Sequence, residues 1–454
     1  MNARLQMHNS VSNLFNIRGA IFSNALNMFS TLILQVALTS LLGVSDDLGR
    51  FYLFITITVI VTSVVTGAFQ NVYLGSLVRN ETIRVEVLRK FLWVASIAFL
   101  LQQIFSGLYL FVQNDFDTNK GTSLETIALA VLAACYSLFQ MISTLLNHVL
   151  IGLKRYKSAS YLPIIPSTLA ALSVVYSPSF RVAIFSLTIG SALQVLMSGY
   201  LMRNISLDLR FYSAKQLQLP SISTYFLTTL QYVFINVATI LQRSFMAANS
   251  LSAFSLFSVA EKNVVTESTL ATRGFNQVTI AEVMRLENDL KIQTNKLLEL
   301  LRMLTMILIL MSIAFYLLAS PFLNLIFLRG QFSVVNLQAC IEMMKTMQVY
   351  ICVEAIIVLY SNFLFNIKRF IAATSLSCMS SLTLICFLLL NRHYLTPYTL
   401  IQILTVNSGF WLFVRVVYVN RLLQIRMRQL TTLIILLVLS LSIPILYFFD
   451  SILL

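Results

Sequence analysis

The chain reads as an all-α integral membrane protein: two pseudo-symmetric six-helix lobes in tandem, plus about one extra C-terminal transmembrane helix. Three observations predict this. Hydrophobic residues make up 58% of the 454, charged residues only 11%, and mean hydropathy is +0.83, too apolar for a soluble chain of this length. Apolar runs of about 20 residues recur from end to end, each long enough to cross a bilayer as a helix. They lack the alternation of a transmembrane β-barrel. Finally, short segments return in order. Thr66-Gly-Ala-Phe-Gln-Asn-Val72 returns as Thr272-Arg-Gly-Phe-Asn-Gln-Val278. Leu153-Lys-Arg-Tyr-Lys-Ser-Ala159 returns as Ile367-Lys-Arg-Phe-Ile-Ala-Ala373. Leu187-Thr-Ile-Gly-Ser191 returns as Leu404-Thr-Val-Asn-Ser408. The offsets are 206, 214 and 217, a slow drift that small insertions in a duplicated unit would produce.

Taken in order, the expected spans are 19–42, 51–78, 88–112, 125–151, 160–178, 181–202, 221–242, 251–283, 297–319, 333–365, 370–391, 397–420 and 429–449. The first twelve form two sets of six, giving lobes at 1–212 and 213–425. The thirteenth, within 426–454, has no counterpart. An even number of spans per copy makes the repeat parallel, and in membrane proteins such repeats mark transporters with a site between the copies. The first apolar segment starts after Arg18 and runs too long for a cleavable signal, so it is expected to stay as a span.

The net charge of +14 is a matter of topology, with no nucleic acid implied. Of the 31 basic residues, twenty fall in the loops of the face that holds the N-terminus. Six, namely Arg50, Lys120, Arg181, Arg243, Arg329 and Arg392, fall in the opposite loops. This is the positive-inside pattern, with the N-terminus cytoplasmic, and it leaves room for attraction to anionic membrane lipids. There is no GxxxxGK[ST] phosphate loop, no HExxH and no clustered His/Cys set, so neither an ATPase nor a metalloenzyme is indicated. The five cysteines all lie in expected spans and read as packing residues. A monomer is the expected state.

Buried polar groups point to chemistry. The segment 251–283 carries Glu261, Lys262, Glu267 and Arg273 in an otherwise apolar helix. Each charge would cost about 2.5–3.5 kcal/mol facing lipid. Lys262 and Arg273 are eleven residues apart, so on a helix they point within about 20° of each other and stand about 16 Å apart. That basic stripe suits a long anionic ligand such as a diphosphate with attached sugars; mutual neutralisation between the copies is the structural alternative. In the first span Asn24, Asn27 and Gln35 share an arc of about 80°, as a sugar-contacting wall or as interhelical glue. Glu354 stands alone midway along the tenth span and, with Glu267, is a candidate for coupling to a cation, Na+ or H+. Glu299 with Arg302, and Glu342 with Lys345, have the spacing of local ion pairs. Arg415, near the end of the twelfth span, is placed to snorkel.

Several of these segments resemble one family. Gly67-Ala-Phe-Gln-Asn71 is similar to a signature of the MurJ/MviN lipid II flippases. Leu150-Ile-Gly-Leu-Lys-Arg-Tyr156 with Ala159 and Pro163 looks like their span-four exit. Ser255-Leu-Phe-Ser-Val-Ala-Glu-Lys262 is similar to their S-A-L-x-Y-A-D-R stretch. Ala319-Ser-Pro-Phe-Leu-Asn-Leu-Ile-Phe-Leu-Arg-Gly-Gln-Phe332 closely matches the segment they carry between spans nine and ten. The resemblance implies the two-lobe bundle of the multidrug/oligosaccharidyl-lipid/polysaccharide exporter superfamily. It implies movement of an undecaprenyl-diphosphate-linked saccharide across a bacterial cytoplasmic membrane, with the family's cavity base falling on Lys262 and its acid on Glu261. The chain departs from the family in having no Lys or Arg between Arg18 and Arg50. In addition, Leu41-Leu-Gly-Val-Ser-Asp-Asp-Leu-Gly-Arg-Phe-Tyr-Leu53 is closer to surface-polysaccharide flippases. A cation-coupled drug exporter of the same superfamily and a non-transporting scaffold of a glycan-synthesis complex are the rival readings.

Overall fold

The computed structural model describes residues 29–56, 78–79, 82–84, 123–153, 155–203, 207–208, 222–265, 290–327, 332–367 and 369–424, with the isolated positions 26, 58, 62, 85, 89, 96, 99, 100, 435, 438 and 441. Apart from one small sheet the fold is helical, and among the described residues six helices are long and apolar enough to cross a membrane. The chain divides into two compact units, one of 1–41 with 50–236, the other of 42–49 with 237–454. The partition falls inside a helix, between Asn236 and Val237.

α1 (Phe29–Leu42) belongs to the first unit as far as Leu41, and the turn at Gly43 that follows it, whose φ of 65° suits a residue without Cβ, falls in the second. α2 follows at 46–56. α3 (Ser123–Gly152), α4 (Tyr156–Tyr161), α5 (Ile164–Tyr176) and α6 (Phe180–Met202) form the described bundle of the first unit. A small three-stranded sheet of β1 (Val78–Arg79), β2 (Thr82–Arg84) and β3 (Leu207–Asp208) joins the connections after the second and sixth spans, an addition to the all-helical expectation. β1 and β2 pair antiparallel, with Val78 opposite Ile83. β2 and β3 run parallel, with Ile83 opposite Leu207.

The expected span 160–178 is shorter than foreseen. Pro163 has no N–H to continue α4, so α5 starts only at Ile164 and runs 13 residues. α5 lies against α6 at a point where both are thin: a Cβ on Gly190 would stand 2.5 Å from the Cα of Pro166.

The second unit takes the later part of α7 (Ile222–Asn249), then α8 (251–265), α9 (Leu290–Phe327), α10 (Val334–Asn366), α11 (Phe370–Leu390) and α12 (Pro397–Leu423). Ser250 is the only residue between α7 and α8, and its Oγ accepts from Ala253 N at 3.2 Å, the geometry of an N-cap. Thr396 starts α12 with a reciprocal capping box to Thr399 and Pro397 in the first turn. α9, at 38 residues, spans about 57 Å, well beyond the hydrocarbon core, and so runs past the expected 297–319 at both ends.

α10 is the axis of this unit. It buries 67% of its most apolar stretch, against 33% for α11. A helix covered on all sides is apolar all round. Cys352, Ile356, Tyr360 and Phe363 of α10 meet Leu304 and Leu308 of α9 and Val419 of α12 in the unit's main core.

The two exits with the Lys-Arg-aromatic motif share one backbone. Arg155 N donates to Leu150 O, and Arg369 N to Leu364 O, each at 2.9 Å. Ala159 N donates to Arg155 O, and Ala373 N to Arg369 O, each at 3.1 Å. The φ/ψ pairs, −85°/52° at Arg155 and −92°/51° at Arg369, agree as well. The offset of 214 read from the sequence therefore aligns the two units atom by atom at this turn.

Candidate functional site

Five charged residues of the second unit, Arg243, Glu261, Lys262, Glu354 and Arg415, are linked electrostatically around Tyr350 and Glu354 of α10. At the top of the sequence order stands α8, where consecutive positions carry Glu261 and Lys262. α7 supplies a third charge. Arg243 Nη2 lies 2.9 Å from Glu261 Oε2, with the two side chains 19% and 23% exposed. This corrects the placing of Arg243 in an outer loop: α7 continues past residue 242, and Arg243 sits six residues before its end at Asn249. Arg243 and Glu261 both act electrostatically on Lys262, and both reach Tyr350 of α10.

One turn further along α10 from Tyr350 is Glu354, itself within electrostatic reach of that tyrosine. Its carboxylate is not alone, as the sequence suggested. Ser408 Oγ of α12 donates to Glu354 Oε1, and the charge of Arg415, also on α12, acts on it. Arg415 does not snorkel. It is 2% exposed, and it donates from Nη1 to Trp411 O at 3.3 Å and from Nη2 to Ser377 Oγ of α11 at 3.2 Å. Beside it, Trp411 Nε1 donates to Thr383 Oγ1 at 2.8 Å, and Thr383 Oγ1 donates to Asn407 Oδ1 at 2.7 Å.

Of the other predicted positions, Gln35 is buried in α1 and accepts through its backbone carbonyl from Thr39 Oγ1 at 2.8 Å. Asn24, Asn27, Glu267 and Arg273 lie outside the described residues. Two expected local pairs are replaced. Lys296 Nζ, not Arg302, bonds Glu299 at 3.0 Å. Lys345 sits 5.3 Å from the ring centroid of Tyr316, while Glu342 lies beside Tyr398. Glu299 thus keeps i,i+3 spacing, but with the residue three before it, while Lys345 and Glu342 turn to aromatic side chains of other helices. No group of three or more metal-ligating side chains occurs among the described residues.

The contact that sequence reasoning missed is the internal counterpart of Glu354. At offset 214 Glu354 corresponds to Gln140, and at offset 217 Ser408 corresponds to Ser191. In the first unit Ser191 Oγ donates to Gln140 Oε1 at 3.3 Å. The same serine-to-side-chain contact is therefore made twice, once to a neutral amide and once to a carboxylate. Arg415 corresponds to Ser198, which is buried and donates to Gln194 O.

No family model and no curated protein matches the chain. Solved structures do match. A lipid II flippase MurJ in an inward closed conformation is 17% identical, with a TM-score of 0.63, covering 96% of this chain and 98% of that one. An inward-facing multidrug resistance transporter of the MATE family is 14% identical at a TM-score of 0.64, covering 87% and 94%. A transporter from Pyrococcus furiosus, whose binding pocket is described as of reverse polarity, is 14% identical at 0.59, covering 90% and 96%. The chain has the fold of the MOP-superfamily transporters. Within this MOP fold, the carboxylate–serine and amide–serine contacts occupy matching helices of the two units, α10 with α12 and α3 with α6. The arginine–glutamate pair and Lys262 belong to the second unit only: at offset 206 Glu261 and Lys262 correspond to Ile55 and Thr56.

Proposed function

We propose that this chain is a flippase that moves an undecaprenyl-diphosphate-linked saccharide, lipid II-like or a surface-polysaccharide precursor, from the inner to the outer leaflet of a bacterial cytoplasmic membrane by alternating access. The observation that carries the reading is the basic group at Lys262, placed in a MOP fold and overlying a lipid II flippase along almost its whole length. A diphosphate offers several charged oxygens, and a guanidinium or an ammonium inside the fold meets them with charge-assisted hydrogen bonds. Arg273 follows Lys262 by eleven residues in the sequence, the spacing of three helical turns, and Glu267 lies between them. Asn24, Asn27 and Gln35 of the first span are assigned to the sugars. Glu354 takes the coupling cation, H+ or Na+. A ligand shifts such a two-state carrier only as far as it binds one state better than the other.

A second reading is favoured by Glu354 itself: a cation-coupled exporter of small molecules, with the buried carboxylate at its centre. One experiment separates the two. Purified chain is reconstituted into vesicles holding a fluorescent undecaprenyl-diphosphate disaccharide, and outer-leaflet exposure is followed. The flippase reading expects wild-type exposure above empty vesicles, and a loss of at least tenfold in the double variant Lys262→Gln/Arg273→Gln at unchanged expression. Normal flipping by that double variant sinks the assignment of the basic stripe. No flipping by the wild type, with uptake of a lipophilic cation instead, favours the exporter, and neither activity leaves the scaffold.

A further inference from the structure

Two arginines meet at the C-terminal end of α6. Arg155 Nη1 donates to Leu201 O at 2.7 Å, one of the last carbonyls of the helix, which its own backbone leaves open. Arg203 follows α6 directly and lays its guanidinium over Tyr200, 4.1 Å from the ring centroid. Leu201 and Met202 pack on Leu150, Ala159 and Leu162, and this small core brings Arg155, 46 residues before Leu201, to the helix end. Both arginines are exposed, and among the described residues neither is paired with a carboxylate. The bond to Leu201 leaves the other N–H donors of Arg155 open. Back along α6, Leu193, Leu196, Met197 and Tyr200 lie on one face and are exposed, a strip about 10 Å long. At 23 residues α6 runs about 35 Å, so its ends reach the headgroup layer of a bilayer. The same parts recur in the second unit. Arg369 repeats the backbone of Arg155, and Tyr418 and Arg421 repeat the spacing of Tyr200 and Arg203 at the end of α12. Arg369 and Arg421 are exposed, and so are Val406, Phe410 and Phe413 on one face of α12.

We propose that each unit carries a site for the phosphate of an anionic phospholipid: Arg155 and Arg203 hold the headgroup at the end of α6 while an acyl chain lies along Leu193, Met197 and Tyr200, and Arg369 and Arg421 form the matching site at the end of α12. A guanidinium takes a phosphate through two N–H groups at once. Arg155 is already fixed by its bond to Leu201 and Arg203 by its ring, so little side-chain freedom is lost when the phosphate docks. The apolar strip gives the acyl chain its place, which inorganic phosphate does not use. Attraction to an anionic leaflet is general for basic segments beside a membrane. This corner differs in that two arginines from separate chain segments are held on one helix end, next to an aromatic ring at headgroup depth. Arg181 supplies the internal comparison: it stands at the opposite end of the same helix and also faces a ring, that of Phe180 at 5.8 Å. The sites are independent of which molecule the protein carries.

The test uses the full chain in a neutral detergent and counts bound lipid by native mass spectrometry during titration with phosphatidylglycerol, with phosphatidylcholine as the control. The wild type is expected to bind two molecules of phosphatidylglycerol, each roughly tenfold more tightly than phosphatidylcholine. Arg155→Gln/Arg203→Gln is expected to lose one of them and Arg369→Gln/Arg421→Gln the other. Arg203→Gln alone leaves the bond to Leu201 in place, so it is expected to keep the wild-type melting temperature while its site weakens roughly fivefold. Arg203→Lys is expected to recover part of that loss, and Arg181→Gln to change nothing. A loss from Arg181→Gln equal to that from Arg203→Gln would mean attraction to net charge alone and overturns the sites. Wild-type binding by Arg203→Gln and by the double variant overturns them as well. Displacement of the lipid by millimolar inorganic phosphate would make free phosphate the ligand and overturns the lipid assignment.

Discussion

Two contacts built on the same backbone separate the units. In the first, Ser191 of α6 meets Gln140 of α3. In the second, Ser408 of α12 meets Glu354 of α10. Around the first, the positions equivalent to Arg415, Asn407 and Ser380 are Ser198, Gly190 and Pro166. There the helices close up, backbone against backbone, at Gly190 and Pro166. Around the second, Asn407 donates to Ser380 O at 3.3 Å and accepts from Thr383, so side chains span the gap that the glycine closes in the first unit. The shared backbone reports the scaffold. The difference in charge reports what one unit does and the other does not.

Removing a charge should break this comparison most severely. Arg415→Ser places the residue of the first unit in the second and leaves the Glu354 carboxylate without its buried counter-charge. The expected loss is roughly 3 kcal/mol, seen as a lower melting temperature in detergent. Adding Glu354→Gln, which completes the Gln140–Ser198 combination, should restore most of it. Full loss in the double variant would mean that Arg415 matters through Ser377 and Trp411 instead.

Gly190→Ala should cost about 1–3 kcal/mol, because the new methyl meets the Cα of Pro166 and no flexible side chain can give way. The matching change in the other unit, Asn407→Ala, removes two hydrogen bonds but leaves room, and should cost about 1 kcal/mol. Equal costs would show that the two helix pairs are held in the same way after all.

Glu354→Gln alone keeps an acceptor for Ser408 but leaves the buried Arg415 without its carboxylate counter-charge, so it too should lower stability, by up to about 3 kcal/mol. Transport by this variant should also lose its dependence on an imposed cation gradient. Gradient-driven transport at the wild-type rate would return Glu354 to the scaffold.

Among the described residues, the bounds of α3, α6, α10 and α11 and the start of α12 were legible because strong local signals coincide there. Thr396 and Pro397 start α12, Ser179 caps α6, and apolar runs end where Lys-Arg begins. The site was legible only in part. Glu261, Lys262 and Glu354 stand out as charges in apolar stretches, and burial of such groups demands a partner. The partners were not legible. Arg243 sits where hydropathy already reads as loop, and it finds Glu261 only because Ser250 reverses the chain between α7 and α8. Ser408 and Arg415 are 54 and 61 residues from Glu354 in sequence and meet it only because α12 packs on α10.

The sequence by itself determined the solvent this protein folds in, the helices that cross it and the duplication that orders them, because hydrophobicity and backbone hydrogen bonding in lipid act over one span at a time. It also marked which helices carry charge. Which charges neutralise which was decided by tertiary structure alone, since an ion pair or a buried hydrogen bond forms only between groups brought within a few ångströms. No local pattern encodes the approach of helices that lie scores of residues apart.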